Sequence, residues 1–130
     1  MDLINASGTS FPHEDTVELS ALKKVFGSKK EDVLAGKISD QLDIKKAGLP
    51  MITSNKGNLG NLGIASGLTE LVFAVQSMLE GKVSGTGNLK ESRDQDLNIL
   101  KDGEIIEKKD INKILKLSFG QGITSAAIAV

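Results

Sequence analysis

Residues 57–80 read GNLGNLGIASGLTELVFAVQSMLE, in which three glycines spaced three residues apart lead into a long apolar segment. A phosphate-binding loop requires G-x-G-x-x-G after a strand, or G-x-x-x-x-G-K-[ST], and neither spacing is present. A membrane helix would be supported by the small-xxx-small spacing of Gly63 and Gly67, but Glu70 interrupts the segment. The strongest prediction is a helix over 62–80 that is buried on all sides and whose glycines allow close packing.

The composition excludes several classes of function. Lys plus Arg is 16 and Asp plus Glu is 17, which gives a net charge of -1 and argues against nucleic-acid binding. The chain has no Cys, so a disulfide framework and a Cys nucleophile within it are excluded. His13 is its only histidine, so no His-rich metal cluster is expected. We therefore expect no metal, no cofactor and no membrane span.

The first ten residues, MDLINASGTS, carry an early Asp and lack a basic segment followed by an apolar run. They resemble neither a secretory signal nor an Arg-rich transit peptide. The sequence therefore predicts an intracellular protein, in the cytoplasm or in an organelle such as the mitochondrion.

The predicted elements alternate between strands and helices, which is typical of an α/β layered unit. They are a strand at 1–6, a helix at 16–27, a buried strand at 49–54, the central helix at 62–80, a polar loop at 81–103, an edge strand and turn at 104–113, and a hairpin at 114–130. The charged residues 28–48 show weak helical spacing around Val33, Leu42 and Ile44, which indicates a solvated connection with a short helix.

The first predicted helix has an apolar stripe, a capping pattern at its N-terminus and a glycine at its C-terminus. The stripe consists of Val17, Ala21 and Val25, with Leu22 and Phe26 beside it. Asp15 is predicted to be the N-cap, with Glu18 at the third helical position in a capping-box-like pair. Gly27 fits the C-terminal stop.

Four stretches resemble motifs of the C-terminal half of a β-ketoacyl-acyl-carrier-protein synthase and follow the family's order along the chain. INASGTSFPHEDTVE resembles N-A-H-G-T-S-T-P-x-x-D-x-x-E, and ITSNKGNLGNLGIASG resembles S-T-K-S-x-x-G-H-x-x-G-A-A-G. LKLSFGQGITSAAIAV resembles N-S-F-G-F-G-G-x-N-x-x-L, and GNLKESRDQDLNIL resembles the stretch that ends in D-L-N-Y. The resemblance implies a thiolase-like α/β half-domain over 1–130, a layered sheet with a buried central helix, whose N-terminal half is absent.

The departures from these motifs fall on catalytic positions. Ser7 and Asn61 stand where the family has the two histidines that assist decarboxylation of the extender thioester. Neither side chain can become an imidazolium or shuttle a proton near neutral pH. The family's nucleophilic Cys belongs to the N-terminal half. The resemblance therefore implies that no catalytic set is intact.

Other family positions are retained or altered. Thr9 and Phe11 correspond to positions of the pantetheine-contacting segment, and Phe11 replaces its second Thr. Phe119 and Gln121 correspond to the acyl-pocket turn, where Gln121 replaces the gating Phe. The acids of the family's D-x-x-E motif are retained as Asp15 and Glu18, and its Lys is retained as Lys56. The resemblance implies that these three form a polar network, with Lys56 in hydrogen-bonding reach of either carboxylate; a plain helix cap is the alternative for the two acids.

Two main hypotheses of function follow. The first is a non-catalytic structural subunit of a larger assembly, which needs an obligate protein partner to cover helix 62–80. That partner would be another ketosynthase-like chain or a second copy of this one. The second is the C-terminal half of a split synthase or acyltransferase of fatty-acid or polyketide biosynthesis, whose partner chain carries the Cys. An acyl-carrier-binding module without chemistry is a third, weaker hypothesis.

Overall fold

The structure is a computed structural model that describes residues 1–27, 48–92, 94–108, 110–120 and, by their backbone, 125–129. The described helices are α1 (Pro12–Phe26), the single turn α2 (Lys56–Leu59) and α3 (Ser66–Glu80), which a 3-10 turn at Gly63–Ala65 precedes. The strands are β1 (Leu3–Asn5), β2 (Met51–Thr53), β3 (Lys82–Ser84), β4 (Asn98–Ile99), β5 (Ile105–Glu107), β6 (Ile114–Phe119) and β7 (Ser125–Ala129).

Five of these strands form a mixed sheet in the order β4-β2-β1-β6-β7. The pairs from β4 to β6 are parallel, and β7 returns antiparallel to β6. Strand β1 is central, and its last residue, Asn5, lies between Thr53 and Lys116 in register. Because parallel strands end at the same edge, the loops after β1, β2 and β6 meet there, which is where α/β sheets place their sites.

The sheet has an apolar core on each face. One core packs α3 and the β3–β5 ribbon against the sheet through Leu3, Met51, Ala74, Val83, Leu100, Ile111 and Ile114. The other packs α1 and a loop against the opposite face through Ile4, Ala6, Leu22, Ile52, Leu97 and Ile99. Alternation along β1 explains the division, since Leu3 and Ile4 point to opposite sides of the sheet. The predicted α/β layering is confirmed.

Helix α1 begins earlier than the sequence predicts. It also buries a different face against the core. Its N-cap is Phe11, with Pro12 in the first turn, so Asp15 lies inside the helix and the predicted cap is wrong. Proline at the first helical position supplies a preset φ and lacks only an N–H that has no helical partner there. Val17 and Val25 are exposed, whereas Glu18 and Leu22 are buried.

The central helix is present but is covered on one side only. The predicted span 62–80 divides into the 3-10 turn and α3, and the buried residues of α3 are Ser66, Glu70 and Ala74. Leu68 and Val72 are exposed. The sheet supplies one covering layer, so the described chain leaves the other side of the helix exposed, as expected for a helix that one half-domain cannot cover.

The segment predicted as a polar loop contains two strands. Strand β3 pairs with β5 in a separate two-stranded sheet, and β4 extends the main sheet beyond β2. Both strands have at most three residues, too few for a period-2 pattern to be visible. The hairpin β6–β7 is confirmed. The short helix expected within 28–48 lies almost entirely outside the described residues.

Candidate functional site

The loop after β1 is held by two carboxylates of α1. Glu18 accepts hydrogen bonds from the backbone N–H groups of Ser7 (2.7 Å) and Gly8 (2.9 Å). Asp15 accepts from the N–H of Thr9 at 3.0 Å. Burial raises the pKa of Glu18, and the bonds from Gly8 and Ser7 act in the opposite direction. Two acids one helical turn apart thus fix three consecutive backbone amides.

Gly8 is required for the shape of this loop. Its φ is +50°, in the left-handed region, and a Cβ at this position would lie 2.6 Å from the side chain of Ser54. The hydroxyl of Ser54 donates to the carbonyl of Ser7 at 3.3 Å. The loop after β1 therefore packs directly on the residue that follows β2.

Lys56 joins this loop to the central helix. Its Nζ donates to the carbonyl oxygen of Ser7 at 2.6 Å and to Glu70 Oε1 at 2.7 Å. The sequence predicts that Lys56 contacts Asp15 or Glu18 on α1. The carboxylate that Lys56 contacts in the structure is that of Glu70 on α3.

A second lysine binds the same carboxylate. Lys116 on β6 forms an ion pair with Glu70 Oε2, and the two side chains are 1% and 2% exposed. Burial lowers the pKa of Lys116, and its pairing with Glu70 opposes that shift. Glu18 adds a further attraction to Lys116. We call Lys56, Glu70 and Lys116 the buried triad.

The sequence analysis did not identify Glu70 and Lys116 as site residues, although the sequence contains an indication of each. Glu70 is the only charged residue between 57 and 79, and an isolated charge in an apolar helix needs a buried partner. Lys116 is two residues after Ile114 in β6, so it falls on the same buried face.

The side chain of Asn61 accepts two hydrogen bonds at the turn that leads into α3. Its Oδ1 accepts from the N–H of Gly63 at 3.0 Å and from the hydroxyl of Ser66 at 3.2 Å. That hydroxyl in turn accepts from the N–H of Leu62 at 2.9 Å. The carboxamide oxygen of Asn61 is thus engaged by the start of the helix.

The three glycines of GNLGNLG are explained by one close backbone contact and two positive φ angles. Gly57 lies against the carbonyl of Gly87, where a Cβ would come within 2.0 Å of the oxygen. Gly60 and Gly63 adopt positive φ values of +79° and +60°. The stretch is therefore a tight turn between β2 and α3 rather than a phosphate loop.

A cleft of about 540 Å³ lies at the carboxyl edge of the sheet. The predicted positions that line it are Ser7, Thr9, Phe11, Lys56, Asn61 and Phe119. Asp15 and Glu18 do not line it and act through the loop, while Gln121 lies outside the described residues. A second cavity of about 380 Å³ beneath α1 contains neither Ser7 nor Asn61.

The polar side chains of the cleft lining are hydroxyls, the amide of Asn61, the carboxylate of Glu14 and the ammonium group of Lys56. His13 lies on the exposed side of α1 and is not part of the lining. The hydroxyls, the amide and the ammonium group can donate hydrogen bonds to a bound carbonyl, and the described lining contains no imidazole.

Comparison with known proteins identifies the family. The family described as β-ketoacyl synthase, C-terminal domain, matches residues 1–90. The chain belongs to this family. Among curated relatives, 3-oxoacyl-[acyl-carrier-protein] synthase 1 of Escherichia coli strain K12 is 26% identical over all of this chain and 27% of its own length. A highly reducing polyketide synthase of Gibberella zeae is 33% identical over 99% of this chain and 5% of its own length.

Solved structures agree with the fold of this ketosynthase C-terminal domain. A ketosynthase from module 1 of the bacillaene synthase of Bacillus amyloliquefaciens FZB42 superposes with a TM-score of 0.74 at 27% identity, over 99% of this chain and 21% of its own. The chain thus spans about a quarter of the length of the Escherichia coli synthase and of the solved ketosynthase, and 5% of the polyketide synthase. No helix in the described part of the chain is long and apolar enough to cross a membrane.

Proposed function

We propose that this chain is a ketosynthase-like subunit that performs no condensation itself and serves as a structural part of a multi-chain assembly for fatty-acid or polyketide synthesis. The observation that carries the proposal is the use of Asn61. At the position where the family has a catalytic histidine, this side chain accepts hydrogen bonds from Gly63 and Ser66 at the entry to α3. Ser7, at the other histidine position, shares the same cleft.

The partner of such a subunit is a protein that covers α3. Leu68, Val72 and Leu79 are 71%, 60% and 73% exposed. Full burial of an aliphatic side chain contributes about 1.5–3 kcal/mol, so three of them represent roughly 5–9 kcal/mol. That amount is comparable with the whole stability of a small domain. An exposed patch of this kind marks an interface. A ketosynthase-like chain is the partner we propose, and acyl carrier protein is a further candidate through the cleft.

A thioester assay tests the proposal. The purified chain is incubated with acyl and malonyl thioesters, and carbon dioxide release and the condensed product are measured. We expect neither to exceed the buffer control, and the Ser7→His/Asn61→His double variant to be equally inactive because the nucleophile is not in this chain. Condensation by the purified wild-type chain would overturn the proposal.

A second candidate is the C-terminal half of a split synthase or acyltransferase. It is favoured by the intact Lys56–Glu70 pair and by the open cleft, which a structural subunit does not need. Mixing the chain with a separate N-terminal ketosynthase half that carries the Cys tests this candidate. Acyl transfer that requires both chains and is lost in Lys56→Met would favour the split enzyme, while an inactive mixture favours the structural subunit.

A further inference from the structure

The loop after β1 separates two cavities, and successive residues of the segment 6–12 alternate between them. The residues on the side of the cleft are Ser7, Thr9 and Phe11. The residues on the other side line the cavity of about 380 Å³ beneath α1, here called the α1 cavity, and are Ala6, Gly8, Ser10 and Pro12. The α1 cavity is therefore a separate space on the opposite side of this loop from the cleft.

The walls of the α1 cavity are fixed by hydrogen bonds. The hydroxyl of Thr86 accepts from the N–H of Ser54 at 3.0 Å, and the side-chain amide of Asn88 donates to the carbonyl of Gly57 at 3.1 Å. The N–H of Leu89 donates to the carbonyl of Thr86 at 3.2 Å. Because these bonds are already made, a ligand can enter the α1 cavity without first ordering a loop.

The floor of the α1 cavity is apolar. It consists of Ala6, Leu19, Leu22, Ile52, Leu89 and Ile99. All six belong to the apolar core between α1 and the sheet or pack against it. The volume is within the usual range for small-molecule sites, and an apolar chain that leaves water for such a floor is stabilised by the hydrophobic effect.

The charged side chains that line the α1 cavity are acidic. They are Asp15, Glu18 and Glu91, and the described part of the lining contains no Lys, Arg or His. Glu18 is buried, Asp15 is half-buried and Glu91 is exposed, so carboxylates are present from the interior of the cavity to its surface. Such a lining attracts a cation and repels an anion. The bonds from the loop to Asp15 and Glu18 leave room for a cation, because a carboxylate accepts about four hydrogen bonds.

We propose that the α1 cavity binds a small organic cation with an apolar chain, of the class of the primary alkylammonium ions. The ammonium group donates hydrogen bonds to the carboxylates of Asp15 and Glu91, and the chain lies on the apolar floor. Charge complementarity selects the cationic end of the ligand, and the floor selects its apolar end. The site is separate from the cleft, so the proposal goes beyond the proposed function and does not rest on it.

Titration of the full chain with n-hexylammonium, followed through the backbone amide signals by NMR, tests the site. We expect the signals of Gly8, Thr86 and Asn88 to shift together and to saturate. The signals of Gly63 and Ser118, which line the cleft and not the α1 cavity, should stay unchanged. Shifts that do not saturate, or that are centred on the two cleft residues, would overturn the proposal.

Two further ligands separate charge from apolar burial. The uncharged n-hexanol and the anionic n-hexanoate have the same alkyl chain as n-hexylammonium. We expect each to bind with a dissociation constant higher by about tenfold or more, because neither supplies a cation to the carboxylates. Equal affinity for n-hexanoate and n-hexylammonium would contradict the assignment of a cation.

A pair of variants with the same change of charge tests the position of the ligand. Thr16→Lys places an ammonium group on the lining, whereas Val17→Lys places it on the next residue of α1, which is 56% exposed and outside the lining. Both positions are exposed, so neither substitution removes a buried contact. We expect the dissociation constant for n-hexylammonium to rise by about tenfold or more in Thr16→Lys and by less than about threefold in Val17→Lys. Equal weakening would show that the ligand responds to net charge alone and does not occupy the α1 cavity.

The titration and the thioester assay have independent outcomes. A chain that binds no alkylammonium ion and performs no condensation contradicts the α1 cavity site and leaves the proposed function in place. Condensation by the purified chain contradicts the proposed function, whatever the α1 cavity binds.

Discussion

Glu70 of the central helix and Lys116 of the sheet form an ion pair in which both side chains are almost completely withdrawn from water. Lys56 occupies the other oxygen of the same carboxylate. One acid thereby connects α2, α3 and β6 at the edge of the cleft. The arrangement explains why the buried side of α3 contains the carboxylate of Glu70.

Removing the charge of Glu70 should destabilise the fold strongly. Glu70→Gln leaves two buried ammonium groups without a counter-ion, and breaking a buried pair costs about 3–5 kcal/mol. Glu107→Gln is the matched control, since Glu107 pairs with Lys82 at the surface and is 75% exposed. We expect the control to cost less than about 1 kcal/mol. The free energies of unfolding from urea titrations provide the comparison, and equal losses in the two variants would contradict a buried triad.

The two lysines should behave non-additively. In Lys56→Met or Lys116→Met, Glu70 keeps one ammonium partner, so each single variant should cost only about 1–2 kcal/mol. In the double variant the carboxylate is stranded, and the cost should exceed the sum of the singles by about 1 kcal/mol or more. A double-mutant cycle in urea measures this coupling. A coupling near zero would show that the lysines do not share the charge of Glu70.

Asn61 should stabilise the turn before α3. Asn61→Ala removes the acceptor for Gly63 and Ser66 and should cost about 1 kcal/mol, as for other lost hydrogen bonds. Asn61→Asp keeps an acceptor and places a negative charge near the start of α3, so its stability should be close to that of the wild type. Asn112→Ala at an exposed position is the control for loss of an amide. Thermal unfolding midpoints rank the three variants, and an Asp variant as unstable as the Ala variant would argue against this role of Asn61.

Asp2 should make stability depend on acid pH. The backbone N–H of Asn112, the ammonium of Lys108 and the N–H of Lys113 lower its pKa from 3.8 to about 2. Because the folded-state pKa lies below the unfolded one, this contribution is present above about pH 4 and is lost as the pH falls towards about 2. The difference in unfolding free energy between wild type and Asp2→Asn should therefore be largest near neutral pH and shrink across that window. A difference in unfolding free energy that does not change with pH would show that Asp2 does not cause the pH dependence of stability.

The sequence alone determined the elements with long or strongly marked patterns. The run 66–80 had to be a helix because its apolar residues continue through more than four turns, and the hairpin at the C-terminal end was marked by β-branched residues around glycines. The resemblance to the ketosynthase motifs implied that Ser7 and Asn61 share one site, and both residues line the cleft. Local spacing suffices in such cases because the physical signal lies within one element.

Only the tertiary structure decided which face each helix buries and which carboxylate each lysine meets. Val17, Ala21 and Val25 form a stripe as regular as the buried face of α1, and the spacing does not say which of the two meets the sheet. Lys56 meets Glu70 rather than the acids of α1 because β1, β2 and β6 end side by side and bring residues from distant parts of the chain together. Pairing across the sheet depends on strand order and register, and a buried charge selects its partner only after the chain has closed around it.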